Sequence, residues 1–229
     1  MQSVFETQRL VLIQLTETSV GSQHVQWFHN HWNDDEATSW SLHGKCHTIE
    51  ESREWLIEHL TKNDTLYYCC FSKTPTSEGT ETDPGEQVGL VSLRRQAGGP
   101  VLQPPASFSE SLDQVAGAEP NDNTWTAASL PLNLHAIAYA FFQQHRGKGY
   151  ATEAGKALIQ EYARSVAEEK RKGEEIFYIE AGVDADNPES LHVLKKLGFR
   201  KVGWKEEKEP VFLNKQWREG GYWVYGLYV

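Results

Sequence analysis

Between residues 134 and 166 the chain changes its periodicity once. The apolar run LHAIAYAFF (134–142) has strand character, Ala151, Ala154, Leu158, Tyr162 and Val166 recur at helical spacing, and the polar segment QQHRGKG (143–149) joins the two. That order admits a strand, a tight turn and a helix, and little else. It also places the start of the helix beside the end of a strand, where unpaired backbone N–H groups and the positive end of the helix dipole are presented together. Gly147 and Gly149 would let the main chain approach a ligand with no Cβ in the way, and Arg146 and Lys148 add positive charge. Such a turn suits an anion, a pyrophosphate for example. Two nucleotide-binding motifs are excluded: the four-residue spacer before Gly-Lys-Ser/Thr is missing, and Thr152 stands where a dinucleotide fingerprint needs its third glycine.

A second constellation follows. The strand-like run IFYIEAGV (176–183) leads through residues 184–187 into a short helix over 188–197, with Asn187 before Pro188 as a helix cap and Gly198 as the terminating glycine. Upstream, residues 9–15 read as an edge or entry strand and residues 25–32 as a short helix. Residues 48–60 read as a firmer helix, because Thr48 and Glu51 form a capping box ahead of an apolar stripe. Residues 66–72 and 88–94 pair as a hairpin whose tip, 73–87, is acidic and rich in Thr, Ser, Gly and Pro. Residues 97–131 show no period and read as a functional or disordered loop, with Phe108 and Trp125 the candidates to anchor it. Strands at 199–204 and 222–228 close an α+β arrangement.

Composition narrows the partners. Twenty-two Lys and Arg against 32 Asp and Glu leave a formal charge of −10, which disfavours nucleic acid and anionic membranes and favours a cationic or basic partner. Three cysteines, two of them adjacent and so facing opposite sides of a strand, give no disulfide framework. No apolar run approaches the roughly 18 residues a bilayer span needs, and a reducing, cytoplasmic location is the expectation. His29 and His31 lack partners at metal-ligand spacing, so no metal is expected.

The turn and the Asn187 segment together resemble the GNAT superfamily of N-acetyltransferases, whose pyrophosphate turn reads Q/R-x-x-G-x-G/A; Gln144, Gly147 and Gly149 fill it. GKGYATEA (147–154) and NPESLHVLKKLGF (187–199) are similar to the branch of ribosomal-protein alanine N-acetyltransferases and their small-molecule relatives. The likeness is specific over about residues 134–205, weaker over 7–15 and 48–60, and absent over 97–131. It implies a single domain over residues 1–229 with a loop insertion at about 97–131. The implied fold is α+β: a central mixed, mostly antiparallel sheet of about seven strands, splayed in the middle and flanked by about four helices. The implied partners are acetyl-coenzyme A as acyl donor and an amine acceptor, either a small molecule or a basic protein N-terminus, in a monomer or homodimer.

By the same resemblance the amides of His145, Arg146, Gly147, Lys148, Gly149 and Tyr150, continuing into Ala151 and Thr152, would hold the pyrophosphate. The main chain of Tyr139, Ala140 and Phe141 would pair with pantetheine, Asn187 would bind it, and Ser190 would sit near the sulfur. Relatives carry a Glu on the strand before the turn where this chain has Ala136, so the base must come from elsewhere. Glu180 is the first substitute, because burial in an apolar strand raises a carboxyl pKa; the other reading is a carboxylate bonded within the sheet or facing solvent. His135 and Tyr139 are the remaining candidates. Trp27, Phe28, Trp32, Trp40, Trp204, Trp217, Tyr222 and Trp223 would line an acceptor pocket or serve as packing. Asp34, Asp35, Glu36, Glu50 and Glu51 would draw in an amine or form a solvated surface. The absent acid at 136 and the insertion leave open a second class of function, a catalytically silent acyl-coenzyme A binding or protein-interaction module.

Overall fold

The computed structural model describes residues 1–73, 84–96 and 131–229. Most of the expected hairpin tip and nearly all of the expected insertion, Phe108 and Trp125 included, lie outside the described residues.

The elements run β1 (Val4–Glu6), β2 (Leu10–Gln14), α1 (Gln23–Trp32), α2 (Ile49–Thr61), β3 (Thr65–Ser72), β4 (Glu86–Arg95) and β5 (Leu132–Phe141). They continue with α3 (Tyr150–Ser165), α4 (Ala167–Lys172), β6 (Ile176–Val183), α5 (Pro188–Lys196), β7 (Arg200–Lys205), β8 (Val211–Leu213), β9 (Gln216–Arg218) and β10 (Tyr222–Tyr228). Eight strands form one sheet in the order β1-β2-β3-β4-β5-β6-β10-β7, while β8 and β9 form a separate hairpin. Every pairing is antiparallel except β5 with β6. The α+β architecture therefore holds, with eight strands in the main sheet where about seven were expected and five α-helices where four were. Strand β2 is not the edge, because β1 pairs outside it.

Local chemistry explains the better-defined elements. The Thr48 and Glu51 capping box forms on both sides, with the Glu51 amide donating to Thr48 Oγ1 at 3.1 Å. Successive strand residues face opposite ways, and the adjacent cysteines demonstrate it: Cys69 packs with Phe28 and Leu56 under α1 and α2, whereas Cys70 packs with Leu158 and Leu194 under α3 and α5. All three cysteines are free and buried. Among the described residues no helix is long and apolar enough to cross a membrane.

The sheet opens at its centre. Strands β5 and β6 pair from Leu132↔Ile176 to Ala136↔Glu180 and then stop, although β5 runs on to Phe141 and β6 to Val183. Beyond that rung β5 stays paired with β4 as far as Phe141, and β6 stays paired with β10 as far as Val183. Each strand follows the twist of its outer neighbour, and the parallel seam between them separates.

Three histidines are buried uncharged. Burial, aided by the nearby Arg146 charge, pushes His31 down to about 3. Burial, with Arg94 and His43, pushes His59 down to about 4, and burial followed by Arg95 lowers His135. The unfolded chain protonates these rings near 6.5, so their contribution is intact above that pH and is lost as pH falls toward the folded values. Each ring held neutral removes up to about 1.4 kcal/mol per pH unit in that window. Urea titrations are expected to show a marked loss of stability between pH 7 and pH 5, before ordinary carboxylates titrate. Equal stability at the two pH values would contradict the neutral burial.

Candidate active site

The turn joining β5 to α3 is built as its residues demand. A short 3-10 segment, Gln143–His145, carries the chain off the sheet, and Gly147 and Gly149 take φ of 73° and 83°, a left-handed region that favours glycine. Gly149 is the residue before α3 and offers no capping side chain. Among the described residues, the amides of Gly147, Lys148, Gly149, Tyr150, Ala151 and Thr152 have no protein acceptor; the next amide, that of Glu153, donates to Gly149 O at 3.1 Å. A Cβ placed on Gly147 would meet nothing within 4 Å.

Three expectations about this turn change. The His145 amide donates to Phe142 O at 2.9 Å and that of Arg146 to Gln143 O at 3.2 Å, so the row of unpartnered amides begins at Gly147. The His145 ring is turned into the protein beside Glu86, at 3.3 Å. The Arg146 guanidinium donates to Phe141 O at 3.2 Å and to Glu36 O at 2.5 Å, which commits its charge to main-chain carbonyls. Gln144 is simply exposed.

A residue the sequence reading did not single out supports the turn instead. Arg9, at the foot of β2, donates from Nη1 to Lys148 O at 2.9 Å, pairs with Glu153 at 2.6 Å and lies 4.9 Å from the Tyr150 ring centre. Burial works to raise the Glu153 carboxyl, but hydrogen bonds from Thr7 and Arg9 outweigh it and hold the group below the usual carboxylate range. No local pattern marks a pair 144 residues apart.

The open seam lies beside this turn. Tyr139, Ala140 and Phe141 pair with β4 on one side and have no strand on the other, the place where an extended chain could add main-chain hydrogen bonds. The Tyr139 hydroxyl reaches Ser190 Oγ at 2.9 Å, so two predicted residues do meet. Burial, partly relieved by the Ser190 hydrogen bond, pushes the phenol up to about 12, which keeps its proton in place at neutral pH. Asn187 caps α5 by accepting from the Ser190 amide at 3.0 Å, and so fixes where that hydroxyl stands.

Glu180 occupies the other face. It lies opposite Ala136 and Gly226 in the sheet, at the last rung before the seam opens, and alternation turns it toward the α1 and α2 side while Ile179 and Ala181 enter the α3 core. Burial raises its pKa against the opposing pull of Lys205 and Arg94. His135 faces the α3 side, where its Nδ1 sits 3.0 Å from the Tyr162 hydroxyl, and takes no part in the seam.

A cavity of about 190 Å³ opens on the α1 side of β4 and β5, against Ala138, Tyr139 and Ala140. Trp32 and Trp40 line it, whereas Phe28 is core, Trp27 packs on Phe71, Trp204 packs on Trp223, and Trp217 is exposed against Phe212. Tyr222 lies over Gly182. Most of the acidic side chains expected to attract an amine are engaged elsewhere: Asp34 accepts from the Ala37 amide, Asp35 pairs with Lys45, Glu36 with Lys215, and Glu51 caps α2, while Glu50 is exposed.

The β8 and β9 hairpin bears on the same wall. The Asn214 amide donates to Ser39 O at 2.6 Å, Lys215 reaches Glu36 at 2.7 Å, and Arg218 pairs with Asp184 at 3.5 Å and with Asp186 while lying 5.3 Å from the Trp40 ring centre. Sequence reasoning overlooked the hairpin and considered His31, which lines the cavity, only as a metal ligand. Among the described residues no group of three or more His, Cys, Asp or Glu side chains is placed to hold a metal.

Comparison with known proteins agrees with this architecture. No curated protein sequence matches the chain. Among solved structures, the ribosomal-protein-S5-alanine acetyltransferase from Vibrio fischeri superposes with a TM-score of 0.59 at 16% identity, covering 99% of this chain and 97% of that one. A ribosomal L7/L12 alpha-N-protein acetyltransferase in complex with coenzyme A gives 0.58 at 15% identity, covering 99% and 98%. The spermidine N-acetyltransferase from Vibrio cholerae, in complex with coenzyme A and spermine, gives 0.55 at 14% identity, covering 97% and 96%. The model of the acetyltransferase (GNAT) domain matches residues 9–200, and the chain therefore belongs to that family and is an N-acetyltransferase.

Proposed function

We propose that the protein moves an acetyl group from acetyl-coenzyme A to a primary amine by direct transfer within a ternary complex. The observation that carries this reading is the continuity of the unpartnered amides at 147–152 with the unpaired edge of β5, which leads to the Tyr139 and Ser190 hydroxyls. That donor set fits the molecule: amides for a diphosphate, a strand edge for pantetheine amides, hydroxyls at the sulfur end. Thr152 can add a hydroxyl to the first group and the Asn187 amide a donor to the second.

Acetyl-coenzyme A supplies a thioester whose C–S bond breaks as the C–N bond to the amine forms. The amine must arrive unprotonated, and from a pKa near 10 that costs about 4 kcal/mol at neutral pH without help. Glu180, at the apex of the seam on the acceptor side and with its pKa raised by burial, takes that proton through water. The Tyr139 and Ser190 pair, on the opposite face, holds a proton for the departing sulfur. The two proton tasks are thus divided between the two sides of the sheet.

Tyr139→Phe and Ser190→Ala are expected to lower kcat by roughly 10- to 100-fold with little change in acetyl-coenzyme A affinity, measured by thiol release and calorimetry. Glu180→Gln should lower kcat and remove the acidic limb of its pH profile, because turnover by the native protein rises with pH as this carboxyl loses its proton. Full turnover in all three variants would refute these roles. Binding of acetyl-coenzyme A with no thiol release on any amine would refute the proposed transfer.

A further inference from the structure

Amides serve an anion only when they face it, and one amide of the row 147–152 is aimed from outside the turn. Arg9 Nη1 donates to Lys148 O at 2.9 Å. Across a trans peptide the C=O and the following N–H point opposite ways, so a Lys148 carbonyl held toward Arg9 turns the Gly149 N–H to the far side. There it has no acceptor among the described residues. The Arg9 head lies close against this peptide, since a Cβ on Gly149 would stand 3.4 Å from Arg9 Nη2. The Arg146 guanidinium, bound to Phe141 O and Glu36 O, is committed elsewhere.

The same arginine meets a charge that works against the turn. Glu153 is the acidic residue in the first turn of α3, one position beyond the last unpartnered amide, that of Thr152. A carboxylate and a diphosphate placed there compete for one positive helix end and repel each other. Although burial opposes it, hydrogen bonds from Thr7 and Arg9 hold the Glu153 carboxyl below the usual carboxylate range, so it is charged at neutral pH. Arg9 Nη2 lies 2.6 Å from Glu153 Oε2, and Arg9 Nε donates to the same oxygen at 2.7 Å. The other oxygen, Oε1, accepts from the Thr7 hydroxyl at 2.5 Å and from the Arg9 amide at 2.9 Å, neither of which needs the arginine side chain. The carboxylate is therefore fastened in place with or without its counter-charge, and at 18% side-chain exposure solvent screens it poorly.

We infer that Arg9 is the positioning residue of the donor site: it aims the Gly149 amide at the diphosphate and cancels the Glu153 charge, so that the start of α3 admits an acyl donor carrying a diphosphate. Removing the guanidinium introduces two faults together. The peptide between residues 148 and 149 loses its anchor, and a bare carboxylate stays beside the anion. A donor without a diphosphate escapes both. The inference rests on the reading of the turn as the diphosphate site of acetyl-coenzyme A.

Calorimetry on the full chain compares two donors, acetyl-coenzyme A and acetyl-pantetheine, which lacks the diphosphate. Acetyl-coenzyme A binding by the native protein comes first; its absence would overturn the donor reading and this inference with it, whereas the variants address Arg9 alone. Arg9→Gln is expected to weaken acetyl-coenzyme A by roughly 10-fold or more and to change acetyl-pantetheine by less than about 2-fold. Adding Glu153→Gln to Arg9→Gln should regain about 3-fold or more of the lost affinity, because glutamine keeps the oxygen that Thr7 and the Arg9 main chain use and drops the charge. Glu153→Gln alone should tighten acetyl-coenzyme A by about 2-fold or more, and it decides the matter should the Arg9 variant not fold. Native affinity in a folded Arg9→Gln variant overturns the inference. So does an equal loss on both donors, which would make Arg9 a structural tie only, or an absence of recovery in the double variant. Unchanged or weaker binding in Glu153→Gln counts the same way.

Discussion

Acetyl-coenzyme A binding is expected to weaken by roughly 100-fold or more in Gly147→Trp, a loss of about 3 kcal/mol, while the protein still folds. The argument is geometric. The Gly147 position has φ of 73° and no neighbour within 4 Å of an added Cβ, so the substitution meets no steric resistance from the protein. Its conformational penalty is about 1–2 kcal/mol for an L residue held in a left-handed region. The indole then stands at the first residue of the row of unpartnered amides, where it is expected to crowd a bound diphosphate. Gly173 supplies the control, since it has φ of 69° and equally open surroundings but closes α4, well along the chain from the turn. Gly173→Trp carries the same backbone strain and should bind acetyl-coenzyme A as the native protein does. Calorimetry on the pair separates strain from blockade, and equal affinity in both variants would remove the turn from the cofactor site.

Gly226→Ala is expected to lower stability by about 3 kcal/mol or more, enough to drop the melting temperature by roughly 10 °C. A Cβ at this position in β10 would overlap the Tyr178 hydroxyl and ring of β6. Tyr178 is 1% exposed, so its ring has no route to solvent and the strands must part. The pairing at stake is the one that draws β6 away from β5, because Gly226 lies opposite Glu180 at the last rung before the seam. Tyr178→Leu combined with Gly226→Ala should regain part of the loss relative to the sum of the single variants, as contacting sites do in a double-mutant cycle. A native melting temperature in Gly226→Ala alone would show that the ring is free to move.

What could be read in advance follows from the range of the forces involved. The turn after β5, the capping box of α2 and the Asn187 cap are each written within seven consecutive residues or fewer, and each formed where local chemistry put it. The seam followed from resemblance rather than from periodicity, since nothing in the run 134–142 marks where pairing stops. Strands β1, β8 and β9 have three residues each and carry no usable alternation. Helix α4 is polar throughout and has no apolar stripe to betray it. Long-range pairs were invisible for a different reason: Arg9 with Glu153 and Arg146 with the Glu36 carbonyl join segments more than one hundred residues apart, and charge alone does not choose among many possible partners. His31 was weighed only as a metal ligand, and its significance emerged from what surrounds it.

The attachment of the β8 and β9 hairpin to residues 36–40 bears on how activity in this protein can be redirected. The shape of the cavity beside β5 depends on a ribbon that supplies none of the hydroxyls, amides or carboxylates assigned to the proposed reaction. Grafting or lengthening residues 211–218 would thus retune what enters while leaving the transfer apparatus untouched, making this ribbon the natural place to begin directed evolution.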